Sequence, residues 1–179
     1  AEVPKGLAPQ LAGRVKLMFQ PAEEGLGGAS AMIRDSVLDD PKVDVALALH
    51  NQPGVPVGQF AYTRGAALAA SDRFDIVVSG NGGHAAHPHV SVDPIVAAAS
   101  LVTQLQTVVS REVQPLYPAV VTVGMMAGGS TYNIIPDTVA IKGTVRTLHK
   151  ESRDTAEAAI RRLCAGLEAS MRARAACDY

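Results

Sequence analysis

Two carboxylates stand side by side at Glu23 and Glu24, within Gln20-Pro21-Ala22-Glu23-Glu24-Gly25, and a histidine closes the next apolar run as His50-Asn51. These residue types can divide the labour of a metal hydrolase. One carboxylate and the imidazole bind metal, while the other carboxylate takes a proton from the attacking water. A solvated acidic turn and a strand-end histidine are the alternative, and spacing alone leaves both open. The glycines of Gly25-Leu26-Gly27-Gly28 are a weak phosphate signal, because no Walker lysine follows and two carboxylates beside them would repel a phosphate.

A second group lies further on. Gly80-Asn81-Gly82-Gly83-His84-Ala85-Ala86-His87-Pro88-His89 holds three of the five histidines. They could form a metal site of their own, be ordinary loop histidines, or supply one imidazole to a neighbouring active site. Asn133, in Gly128-Gly129-Ser130-Thr131-Tyr132-Asn133, and Arg146, on a polar face with Lys142 and Thr144, are either surface polarity or a clamp for a carboxylate.

The elements that must position these groups fall into two regions. RVKLMF (14–19) and VDVALAL (43–49) are short continuous apolar runs flanking a helical pattern of Ala29, Met32, Ile33 and Val37. This predicts a βαβ unit, part of a doubly wound parallel-sheet α/β domain, with Glu23, Glu24 and His50 at the carboxyl edge of the strands. A Pro- and Gly-rich crossing segment with a possible strand at 58–64 follows, and a domain boundary is expected near Ala70, giving regions 1–70 and 71–179.

Beyond the boundary the pattern alternates. Phe74, Ile76 and Val78 form one strand face, Val121, Val123 and Met125 another, and Val139, Ile141 and Val145 a third. Asp93-Pro94 opens a helix with a stripe of Ile95, Val96, Ala99, Val102, Leu105 and Val109. A second helix carries Ala156, Ala159, Ile160, Leu163, Leu167 and Met171, with Arg172 and Arg174 suited to its dipole. The order βαββα is that of a ferredoxin-like domain lacking its last strand.

Composition narrows the function classes. With 16 Lys+Arg against 17 Asp+Glu there is no charge excess to draw nucleic acid or an acidic membrane. Apolar residues at 47% and charged residues at 18% supply a core. No apolar run is long enough for a membrane span and no leader pattern opens the chain, so a cytoplasmic location is expected. Cys164 and Cys177, thirteen positions apart, are too few for a disulfide framework or a four-ligand zinc cage and read as ordinary thiols.

Taken together, FQPAEEG (19–25), ALHN (48–51), SGNGGHAAHPH (79–89), DPIVAA (93–98), TYNIIPD (131–137) and GTVR (143–146) closely resemble the dizinc-type amidohydrolases and aminoacylases of the carboxypeptidase G class. The branch resembled most is that of hippurate hydrolase and the indoleacetyl-amino-acid hydrolases. The resemblance spans roughly residues 12–170. It implies a catalytic domain with two divalent metals, zinc or manganese, and an inserted lid that mediates homodimerisation. It implies Glu23 as general base, Glu24 and His50 as metal ligands, His84 as a lid group steadying the oxyanion, often from the partner subunit, and Asn133 and Arg146 as holders of the substrate carboxylate. The implied substrate is a small N-acyl amino acid. A dipeptidase or a desuccinylase of diamino acids is the alternative within the family. The family's His-x-Cys-Gly-His-Asp type motif and its C-terminal metal-binding histidine are not in the sequence, so an internal segment, inactive alone, is expected. A reading of another class is a non-catalytic dimerisation or small-ligand-binding module.

Overall fold

The computed structural model describes residues 6–23, 25 and 27–179. The chain divides into two compact units, Ala1–Phe60 and Ala61–Tyr179.

In the first unit the α-helix α1 (Gly28–Arg34) forms where the helical pattern predicts it. It starts from Gly27, whose φ of 69° is the left-handed region that glycine enters without strain. Gly28 is fixed by space, because a Cβ there would lie 1.7 Å from the Pro21 carbonyl oxygen. The flanking strands expected at 14–19 and 43–49 are not formed, nor is the one at 58–64. A strand exists through its hydrogen-bonded neighbour, and among the described residues neither apolar run has one. Their side chains lie in solvent, Phe19 at 84% and Leu47 at 91% exposure, so no parallel βαβ unit is formed among the described residues.

The second unit contains β1 (Ala70–Ser79), the two-residue β2 (Gly83–His84), α2 (Pro94–Thr107), β3 (Ala119–Gly128), the two-residue β4 (Ile134–Ile135), β5 (Thr138–Thr147), α3 (Lys150–Met171) and β6 (Arg174–Asp178). The four long strands form one sheet in the order β3-β5-β1-β6, and every neighbouring pair is antiparallel. This is the split βαβ arrangement with its last strand in place, which corrects the expectation that this strand is missing. The segment Arg-Ala-Ala-Cys-Asp has no β-branched or aromatic residue and reads as a frayed helix end. Pairing with Val77, Val78 and Ser79 of β1, a tertiary effect, makes it a strand. Arg174 therefore belongs to β6, and Arg172 ends α3 in the left-handed conformation.

Phe74, Ile76 and Val78 of β1 and Val139, Ile141 and Val145 of β5 are buried toward the helices, as their alternation predicts. In β3 the register slips between Val123 and Met125, so Met125 pairs with Lys142 on the open face, away from the face of Val121. One extra residue in a strand moves every later side chain to the other side.

Asp93 caps α2, accepting from the Ile95 amide at 2.8 Å, with Pro94 at the first helical position. The buried stripe is Pro94, Ala97, Ala98, Leu101 and Leu105, offset from the expected one, and Val96 is 54% exposed. α2 is apolar on most of its circumference, so pattern cannot choose a face. The small Ala97 and Ala98 point inward, where they let the helix approach the sheet closely. α3 buries Ala156, Ala159, Ile160, Cys164 and Leu167, close to expectation.

Candidate functional site

In the first unit the turn before α1 and the segment after the second apolar run bring Glu23 and His50 together. Glu23 Oε1 lies 3.9 Å from His50 Nε2, with the side chains 59% and 68% exposed. His50 Nδ1 is 2.6 Å from the Asn51 carbonyl oxygen, which accepts a hydrogen bond if Nδ1 carries the proton. In a neutral ring of that tautomer Nε2 presents a lone pair to the Glu23 carboxylate. Two acceptors facing each other suit a cation between them. As an exposed ion pair this contact adds little stability. Glu24, expected as the second carboxylate, lies outside the described residues.

In the second unit the glycine–histidine loop and the Asn133 loop are one structure. β2 pairs with β4, Gly83 opposite Ile135 and His84 opposite Ile134, and the Ala85 amide donates to the Asn133 carbonyl oxygen at 3.0 Å. The ribbon is fastened to the sheet by Asp137. Its carbonyl oxygen accepts from the Gly80 amide at 2.8 Å, and its carboxylate accepts from the Gly82 amide at 2.9 Å. Sequence reasoning assigned Asp137 no role, although it closes the TYNIIPD motif. A carboxylate two residues past a short apolar pair has no signature until the partner loop is in place.

Gly80, Gly82 and Gly83 shape this loop. Their φ values are not left-handed, and the space a Cβ would fill is taken by protein. At Gly80 it would meet the Val92 carbonyl oxygen at 2.1 Å, at Gly82 the Ile135 carbonyl oxygen at 2.6 Å, and at Gly83 the Ser91 hydroxyl at 2.3 Å. They serve the packing of the loop on itself.

His84 is exposed, and its Nδ1 accepts from the Ala86 amide at 3.1 Å. In a neutral ring that acceptor role leaves the proton on Nε2, the outward donor. His87 and His89 follow at ring-centroid distances of 5.5 and 6.0 Å. Among the described residues no three His, Cys, Asp or Glu side chains are grouped to hold a metal ion.

Arg146 is not brought to this ribbon. It pairs with Ser71 at the start of β1, whereas the ribbon follows the end of β1, beyond Ser79 and Thr138. Eight residue steps along β5 separate Thr138 from Arg146, roughly 27 Å at about 3.4 Å per step. The Arg146 guanidinium donates to the Thr144 hydroxyl and to the Val145 carbonyl oxygen. Within one chain Asn133 therefore precedes one end of β5 and Arg146 stands near the other.

The model of the peptidase family M20/M25/M40 matches residues 2–173. The chain belongs to this family. Its relatives include the N-acetyl-L-cysteine deacetylase of Bacillus subtilis, 49% identical over 144 residues, which are 80% of this chain and 34% of that protein. The N-acetyldiaminopimelate deacetylase of the same organism is 44% identical over 162 residues, 90% of this chain and 43% of that one. Among solved structures, a dinuclear metal binding peptidase of the M20 family from Bacillus subtilis superposes with a TM-score of 0.67 at 34% identity, covering 89% of this chain and 38% of that one. The chain thus spans less than half the length of these M20 relatives. Among the described residues no helix is long and apolar enough to cross a membrane.

Proposed function

We propose that the chain carries part of the active site of a metal-dependent M20 amidohydrolase that cleaves the amide bond of N-acyl amino acids. The observation that carries this reading is the approach of Glu23 to His50 in a chain whose M20 relatives are named as deacetylases of acetylated amino acids. Glu23 is the general base, taking a proton from the attacking water and passing it to the leaving amine. Glu24 and His50 are metal ligands. The described residues join one carboxylate and one imidazole, fewer than the three protein ligands of a typical catalytic zinc, so alone they do not hold the metal pair the resemblance implies. That pair, zinc or manganese, belongs to the whole protein.

The second unit is the lid and dimerisation domain. His84, with Nε2 outward, donates to the oxyanion, while Asn133 and Arg146 hold the substrate carboxylate. Their separation along β5 favours a homodimer in which each carboxylate is reached by Arg146 of one copy and the ribbon of the other. The unpaired outer edge of β3, among the described residues, and the exposed Ile95 and Val96 support such pairing.

Incubating the 179-residue chain with N-acetyl amino acids or hippurate and zinc or manganese tests the reading. Turnover is expected at the level of a Glu23→Gln control. In the full-length protein Glu23→Gln should lower kcat by roughly 100-fold or more with metal content kept, whereas His50→Ala should lose metal. Turnover by the isolated chain well above its control, or a full-length Glu23→Gln enzyme within a few-fold of the parent, would refute it.

A further inference from the structure

Thirteen residues apart in sequence, Cys164 and Cys177 meet in the fold. Cys164 is buried on the inner stripe of α3. Cys177 sits in β6 opposite Ile76, and so projects to the same helix-facing side of the sheet as that core residue. Both pack in one apolar layer, Cys164 in the core and Cys177 against it. A second contact fixes the pairing: Arg161, one turn before Cys164 on α3, donates from Nη1 to the Cys177 carbonyl oxygen at 3.3 Å. The helical turn carrying one cysteine is thus fastened to the backbone of the other.

The two thiols are unequal. Cys164 is almost fully buried, and its hydrogen bond to Cys177 together with burial pushes its thiol well up. Cys177 is only partly buried and within reach of a small solute. The bond from Cys164, aided by the Arg161 charge, holds its thiol down to about 7, against burial and the charges of Asp178 and Glu157. A thiol of that kind is about half ionised at pH 7, against roughly 3% for an ordinary cysteine near 8.5. Nucleophilicity falls as basicity falls, so the net gain in reactivity is roughly three-fold.

We propose that Cys164 and Cys177 form an oxidant-responsive dithiol, in which Cys177 reacts with a peroxide and Cys164 resolves the product into an intramolecular disulfide. The Cys177 thiolate attacks one peroxide oxygen, the O–O bond breaks, and the departing hydroxide takes a proton to leave as water. Cys177 is now a sulfenic acid. The Cys164 thiol attacks its sulfur, the S–O bond breaks, and the thiol proton leaves with the hydroxide as a second water. The two sulfurs together lose two electrons, which reduce one peroxide to two waters. The new bond ties the last strand of the sheet to α3, a covalent brace that this unit lacks when reduced.

The test treats the 179-residue chain with hydrogen peroxide, blocks remaining thiols with iodoacetamide, and reads intact and peptide masses. The expected product is a monomer that has lost two hydrogen atoms, resists alkylation, joins the peptides of Cys164 and Cys177, and reverts with dithiothreitol. Cys177→Ala, at a strand near the chain surface, and Cys164→Ser, which preserves core volume, should each block it. The second should accumulate a Cys177 sulfenic acid trapped by dimedone. At pH 7 Cys177 should alkylate about three-fold faster in the unmodified chain than in Cys164→Ala. Two alkylatable thiols after peroxide, disulfide-linked dimers alone, or over-oxidation of Cys177 without pairing would overturn the proposal.

Discussion

Replacing Gly82 with alanine should release the ribbon that joins His84 to Asn133 while leaving the core of the second unit standing. A Cβ at this position would lie 2.6 Å from the Ile135 carbonyl oxygen and 2.9 Å from the Asp137 carboxylate, both closer than carbon and oxygen approach without bonding. The first is backbone and cannot swing aside, so the loop itself must move by several tenths of an ångström. Overpacking of this kind costs about 1–3 kcal/mol. The shift also stretches the hydrogen bond from the Gly82 amide to Asp137, worth about 1 kcal/mol at an exposed site. Together the local cost is about 2–4 kcal/mol, a factor of roughly 30 to 1000 in the opening equilibrium. The ribbon is held by few bonds, so this cost is felt locally. Amide hydrogen exchange reads it directly. Protection should fall at Gly80, Gly82 and Ala85, and stay unchanged at Phe74, Ile76 and Ile141 in the central strands. Gly166→Ala is the control: it lies in α3 with nothing within 4 Å of the added Cβ, and should stabilise the unit by about 0.5–1 kcal/mol. Unchanged protection at Ala85 in Gly82→Ala, or an equal loss across the central strands, would refute the view of the ribbon as a separately held element.

Arg153→Ala should cost about 1–3 kcal/mol in urea unfolding, because it strips a bidentate partner from Asp72, whose side chain is only 9% exposed. Lys150→Ala, breaking the exposed pair with Asp154, should cost less than about 0.5 kcal/mol; equal costs would show that burial of Asp72 does not matter. Tyr179 should titrate late, since burial and then the Asp72 charge push its phenol up to about 12. The folded state holds that proton more tightly, so its contribution is complete below about 10 and is lost as pH rises toward 12. Phenolate absorbance followed with pH should show a late step absent from Tyr179→Phe, and a single step in both proteins would contradict the assignment. Sedimentation of the chain at micromolar concentration should show a dimer if the second unit pairs as proposed, and a monomer there would count against it.

Much of the second unit is written in local pattern. Phe74, Ile76 and Val78 alternate because one sheet face is buried, and Asp93-Pro94 starts a helix because a side-chain acceptor and a fixed φ are what a helix start needs. Other features are invisible to pattern. The inner face of α2 is chosen by how closely Ala97 and Ala98 let it pack, and the slip at Gly124 is a matter of pairing. In the first unit the apolar runs have strand character and no strand partner among the described residues, so hydrophobicity alone does not yield a sheet.

The sequence by itself determined the family, because the short motifs that hold Glu23, Glu24, His50 and His84 keep their order without coordinates. Tertiary structure alone decided which of them lie together. It set Glu23 against His50, tied His84 to Asn133 through a ribbon braced by Asp137, placed Arg146 at the far end of β5, and brought Cys164 and Cys177 into one core layer. The physical reason is that distance along a chain does not fix distance in space. Strand pairing and helix packing do, and both are settled by partners that lie tens of residues away.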